Sequence, residues 1–186
     1  MDWFELTAVA IALAMVFCNV REIHWGWPLA IVSSVMYVKV FADAKLYGDA
    51  GLNVFYAAVG CWGWYQWLRG HRADGSALHV AKLSRRGLAL LVLACAVAWP
   101  ATGWFLATYT NTDVPWWDGF TTGLSVVAQF LLGRKFIENW LLWAVVNTVS
   151  IALYAYKGLY PTVGLYVVLL VMSFVGFAAW RAKLPR

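Results

Sequence analysis

The chain has 186 residues, of which 63% are hydrophobic and 12% charged, with 13 Trp and a formal net charge of +5. This is far more apolar surface than a soluble core of that size can hide, so a lipid bilayer is the expected solvent and an ordinary soluble enzyme is excluded. The basic residues are spread over several loops, which speaks against a nucleic-acid partner and for an orientation signal.

Asp2 and Glu5 stand where a signal peptide would carry bases, and no small-residue cleavage site follows, so the first apolar run is expected to remain as the first span. Apolar runs of roughly 17–20 residues centre near Leu13, Val35, Val59, Ala98, Val126, Val149 and Val171, predicting seven transmembrane helices. The second and fifth are short for a full crossing. Loop charge orients them: Arg69, Arg72, Lys82, Arg85 and Arg86 face a single Asp74, and Arg181, Lys183 and Arg186 fill the tail, whereas the stretch around Asp113 and Asp118 holds no base. By the positive-inside rule the N-terminus is outside and the C-terminus inside.

Sliding the chain on itself by 113 residues matches Phe17 with Phe130, Arg21 with Arg134, Trp27 with Trp140, Leu46-Tyr47 with Leu159-Tyr160, Gly63 with Gly176 and Trp67 with Trp180. Coincidences of Trp, Gly and Arg at one ungapped offset point to an internal repeat. A three-helix unit reverses direction from start to end, so an extra helix is needed for the second unit to enter the membrane as the first does. The stretch from Gly87 to about Tyr109, which has no counterpart at the offset, supplies it. The expected plan is therefore an all-α membrane protein with a 3+1+3 parallel repeat: a first three-helix repeat at 1–68, a cytoplasmic loop at 69–86, a linker helix at 87–110 and a second repeat at 117–181, all in one integral membrane domain. Such parallel repeats hold a solute between the halves near the midplane.

Every carboxylate falls on a terminus, a loop or a span end, so no acid is placed to relay a proton through the bilayer core. An uncoupled facilitator is expected. The same placement leaves no acid–base pair at depth for an intramembrane enzyme, and no catalytic residues are expected. Cys18, Cys61 and Cys95 lie in three different apolar runs and read as packing residues; with His24, His71 and His79 they show no metal-ligand spacing, so neither a metal nor a cofactor is expected.

The strongest polar constellation is in the sixth run. Trp140, Trp143, Asn147, Ser150 and Tyr154 recur at spacings of three and four, placing them on one helical face away from Leu141, Ala144, Val145 and Val149. Asn147 lies on the order of 10 Å below Trp140, near the bilayer middle. A carboxamide at that depth needs a partner, either a neighbouring helix or a ligand, and indole faces beside it can stack a flat polar solute. In the third run Trp62 and Gln66 share a face, with Trp64 and Trp67 suited to an interfacial belt. Gln129, and Ser34 with Tyr37, add hydrogen-bonding groups, and Ser34 stands opposite Asn147 at the repeat offset.

The stretch Gln129-Phe-Leu-Leu-Gly-Arg-Lys-Phe-Ile-Glu138-Asn139-Trp140-Leu-Leu-Trp143-Ala-Val-Val-Asn147, with Tyr156-Lys157-Gly-Leu-Tyr160 downstream and Trp62-Gly-Trp-Tyr-Gln66-Trp67 upstream, resembles the PnuC family of nicotinamide riboside transporters. The resemblance covers about 19–180. It implies a SWEET-like seven-helix fold in the cell inner membrane, facilitated diffusion of the riboside for NAD synthesis, and one-way uptake by intracellular phosphorylation. Trp62, Gln66, Trp143 and Asn147 fall on motif positions that imply substrate contact, and SWEET-like folds imply a homo-oligomer such as a trimer. A pyridinium cation can stack on indole and its carboxamide can pair with Gln and Asn amides, but thiamine is also a flat cation, and riboflavin carriers share the fold. A sugar carrier or a solute-free membrane scaffold stands as the further alternative.

Overall fold

The boundaries of the elements follow from short polar breaks between apolar runs. In the computed structural model, which describes residues 3–43 and 47–184 (with side chains over 10–39 and 53–184), seven helices follow in order: α1 Trp3–Val20, α2 Gly26–Asp43, α3 Tyr47–Arg69, α4 Arg85–Tyr109, α5 Pro115–Gly133, α6 Glu138–Tyr156 and α7 Tyr160–Arg181. Two compact units form, 1–79 with α1 to α3 and 80–186 with α4 to α7.

In the first unit α1 stops because the chain turns at Glu22, whose φ of 58° no helix allows. The turn is closed by Ile23 N donating to Cys18 O at 2.8 Å, and α2 then starts at Gly26, where a Cβ would come within 3.0 Å of the Cys18 Cβ. Trp27 enters α2 buried and lies over Gly63 of α3, whose absent side chain makes room: a Cβ there would sit 2.3 Å from the Trp27 ring. Trp67 meets Trp27 edge-on at 5.7 Å and 78°. Beyond α3 the chain folds back in a short hairpin, with His71 bridged to Ala77 and the Asp74 carboxylate accepting from both Ser76 N and Ser76 Oγ. Those bonds hold the Asp74 carboxyl below the usual carboxylate range.

The second unit begins with an extended segment tied to the α5–α6 turn. Ala81 N donates to Lys135 O at 3.1 Å, Ile137 N donates to Ala81 O at 3.0 Å, and Leu83 N donates to the Glu138 carboxylate at 3.0 Å. Helix α4 starts two residues earlier than the sequence predicts because the Ser84 hydroxyl caps it, accepting from Gly87 N at 3.1 Å. Its contact with α5 is made by glycine: Gly103 on α4 and Gly119 and Gly123 on α5 lie so close that a Cβ on Gly119 would be 2.4 Å from the Gly103 Cα. The Thr102 hydroxyl sits 2.6 Å from both Ala98 O and Gly119 O, sharing its one proton between its own helix and α5. This is how helices associate in a solvent as apolar as their side chains: small residues admit close packing and a hydroxyl supplies the polar contact.

Among the described residues, α4 and α7 are long and apolar enough by length and composition to cross a membrane. Polar side chains lower the mean hydropathy of three others: Asn53, Gln66 and Arg69 in α3, Asp118 and Gln129 in α5, and Glu138, Asn139 and Asn147 in α6. The outer face of α4 is apolar along its length, with Leu90, Leu93, Val97 and Trp104 all more than half exposed, as expected of a surface meant for lipid.

Candidate functional site

Helices α6 and α7 run antiparallel and meet in three rungs, each seven residues from the next. At the first, Trp140 is 3% exposed and lies over Gly176, where a Cβ would fall 2.6 Å from its ring, and Trp180 closes edge-on at 5.5 Å and 88°. At the second, the Asn147 amide donates from Nδ2 to Ser173 Oγ at 3.1 Å, both residues being buried. At the third, the Tyr154 and Tyr166 rings lie 5.1 Å apart. The seven-residue step is that of helices packing knobs into holes.

The face predicted for α6 is therefore divided. Trp140, Asn147 and Tyr154 point at α7, Ser150 is also buried, and Trp143 is half-buried on the flank. Leu141 and Val145 face outward as expected, but Ala144, which the periodicity set with them, is buried, because it lies one turn after Trp140 on the same side of the helix. Trp140 and Trp27 are each a packing wedge between helices, and each leaves its indole N–H without a hydrogen-bond partner among the described residues. The Asn139 amide, fully buried at the start of α6, donates to Phe136 O at 2.6 Å.

Gln129 is half-buried on α5. In the first unit Ser34 and Tyr37 on α2 and Trp62 and Gln66 on α3 are half-buried as well, and the Trp64 indole reaches His24 Nδ1 at 3.4 Å. The eight candidate side chains thus fall into two groups, four in each unit.

What the sequence reading missed is Ser173. Nothing in the local pattern of α7 marks it, since a single Ser in an apolar helix ordinarily bonds back to its own backbone, and only the packing of α7 on α6 brings it to Asn147. The recurrence of local geometry at the 113-residue offset was, by contrast, signalled. The two non-glycine residues with positive φ among those described, Glu22 and Lys135, are 113 apart, and the Trp27–Gly63–Trp67 wedge has its counterpart in Trp140–Gly176–Trp180.

Residues 2–182 match the family described as nicotinamide mononucleotide transporter. The chain belongs to that family. The nicotinamide riboside transporter PnuC of Escherichia coli (strain K12) is 24% identical over 97% of this chain and 85% of its own length. The riboflavin/roseoflavin transporter RibM of Streptomyces davaonensis is 28% identical over 84% of this chain and 76% of its own. A crystal structure of the vitamin B3 transporter PnuC superposes with a TM-score of 0.73 at 27% identity, covering 94% of this chain and 79% of that one. A multi-pass membrane protein of the PnuC type follows, and the all-helical, seven-helix chain agrees with that relative's fold.

Proposed function

We propose that this protein carries nicotinamide riboside across the inner membrane by facilitated diffusion, with intracellular phosphorylation making uptake one-way. The observation that carries the reading is the buried Asn147 carboxamide, flanked by Trp143 in a helix of a PnuC-type chain. A buried amide beside an indole face suits a solute that is flat, cationic and itself an amide. Trp62, Gln66, Ser34, Tyr37, Gln129, Trp143 and Asn147 are the proposed substrate contacts, with Trp140 holding the cytoplasmic end of α6 in place. The 3+1+3 repeat, the outside N-terminus and a trimeric assembly belong to the same proposal. Support for the repeat comes from the paired turns and Trp wedges at one offset, and support for the up-and-down course of α4 to α7 from two sets of loop contacts. Residues 81–83 pair with the α5–α6 turn, and Lys157 bonds Asp113 at 3.0 Å, so each set joins loops expected on one side of the membrane.

The family description names the mononucleotide, but the helices in this sequence offer a phosphate little: the bases sit at helix ends or in loops, apart from Lys39 toward the end of α2. An unpaired phosphate in a dry cavity is costly. The riboside is therefore the better substrate. A riboflavin carrier is the second reading, favoured by the RibM relative. Ligand-dependent thermal stabilisation of the detergent-purified protein, screened over nicotinamide riboside, thiamine, riboflavin and glucose, separates these readings and the solute-free scaffold, which none of the four would stabilise.

A further inference from the structure

The hydrogen bonds around Asn147 fix which end of its amide is free. Ser173 Oγ donates its one proton to Leu169 O at 2.8 Å, in its own helix. What remains at Oγ is lone pairs, so it can only accept, and the group 3.1 Å away must be the Asn147 NH2 and not its carbonyl. A chain of donors runs in one direction, from Asn147 through Ser173 to the α7 backbone. The Asn147 carbonyl oxygen is then turned the other way, and it accepts no hydrogen bond from the described residues. That oxygen is not among the side-chain atoms sealed away without a partner, so it stays open to a donor brought by a solute.

We infer that Ser173 is a positioning residue that holds Asn147 as a hydrogen-bond acceptor, so that the site selects a ligand bearing an N–H or O–H donor over one presenting only acceptor oxygens. The inference deepens the proposed function and rests on it. Nicotinamide riboside offers a carboxamide NH2, whereas its carboxylate analogue, nicotinic acid riboside, offers two acceptor oxygens that would face the Asn147 carbonyl. The unit containing α2 and α3 has no such pair at the repeat offset, where Ser34 and Gly60 stand instead, so the selectivity is built into the second unit alone.

The test is the ratio of affinities for the two ribosides, measured by calorimetry on the full-length protein in detergent. The wild type should favour nicotinamide riboside by about tenfold or more, the value of one well-placed hydrogen bond against an unpaired one. In Ser173→Ala the amide is free to turn and offer its NH2 to the carboxylate, so the ratio should fall below about threefold. Ser173→Thr keeps the hydroxyl and should keep the ratio. Should Ser173→Ala not fold, Ser173→Cys, whose sulfur is a weak acceptor, takes its place and should lower the ratio likewise. A merely structural role for Ser173 would weaken both ligands alike and leave the ratio unchanged, and that result overturns the inference, as does an equal loss of selectivity in Ser173→Thr. Absence of any riboside binding to the wild type is a different outcome: it refutes the transport reading itself and the inference with it.

Discussion

Adding one methyl group at Gly176 tests whether the Trp wedge organises the second unit. The new Cβ would lie 2.6 Å from three atoms of the Trp140 ring, about 1 Å inside an ordinary carbon–carbon contact. Trp140 cannot retreat cheaply, because it is 3% exposed and packed edge-on against Trp180. Overpacking of this kind costs about 1–3 kcal/mol, and loss of the edge-to-face pair adds about 0.5–1.5 kcal/mol. Gly176→Ala should therefore lower the thermal midpoint of the detergent-solubilised protein by roughly 5–15 °C on the scale for chains of this size. Gly63→Ala, whose Cβ would press 2.3 Å into Trp27, should do the same. The decisive control is a double-mutant cycle: with Trp140→Leu the ring is gone, so adding Gly176→Ala should cost at least about 1 kcal/mol less than it does alone. Additive losses, or a Gly176→Ala protein as stable as the wild type, would refute the wedge.

Trp143→Ala and Asn147→Leu should each weaken riboside binding by about 1–3 kcal/mol, the first by loss of stacking and the second by leaving a ligand donor unpaired, as read by titration calorimetry on folded variants. Unlabelled nicotinamide mononucleotide should fail to compete for labelled riboside, phosphatase contamination being excluded; equal potency would contradict the site chemistry. Uptake into proteoliposomes should follow the riboside gradient alone, and accumulation above equilibrium on an imposed proton or sodium gradient would contradict the facilitator. The Lys157 side chain holds the exposed Asp113 carboxyl below its ordinary range and is itself held above its own. The Asp113 contribution is therefore present above the ordinary aspartate value and lost as acid protonates it, and that of Lys157 is present below the ordinary lysine value and lost as alkali deprotonates it. Between those limits the pair should give a flat stability profile, and because it is exposed, Asp113→Asn should barely move the thermal midpoint at pH 7.

From the sequence alone came the solvent, the helical class and the approximate centre of each helix, because a bilayer demands long apolar runs and any polar break between them must be a loop. It also pointed to a correspondence of the two halves, since Trp27 with Trp140 and Gly63 with Gly176 are residue types that chance rarely aligns. The partner of each wedge and of each buried polar group was decided only by tertiary structure. A helix surrounded by lipid is apolar all round, so periodicity shows which residues share a face without showing what that face meets. Asn147 was legible as a buried amide needing a partner; that Ser173 takes its NH2 end, and that Thr102 binds α4 to the glycines of α5, became visible only when consecutive helices were packed side by side.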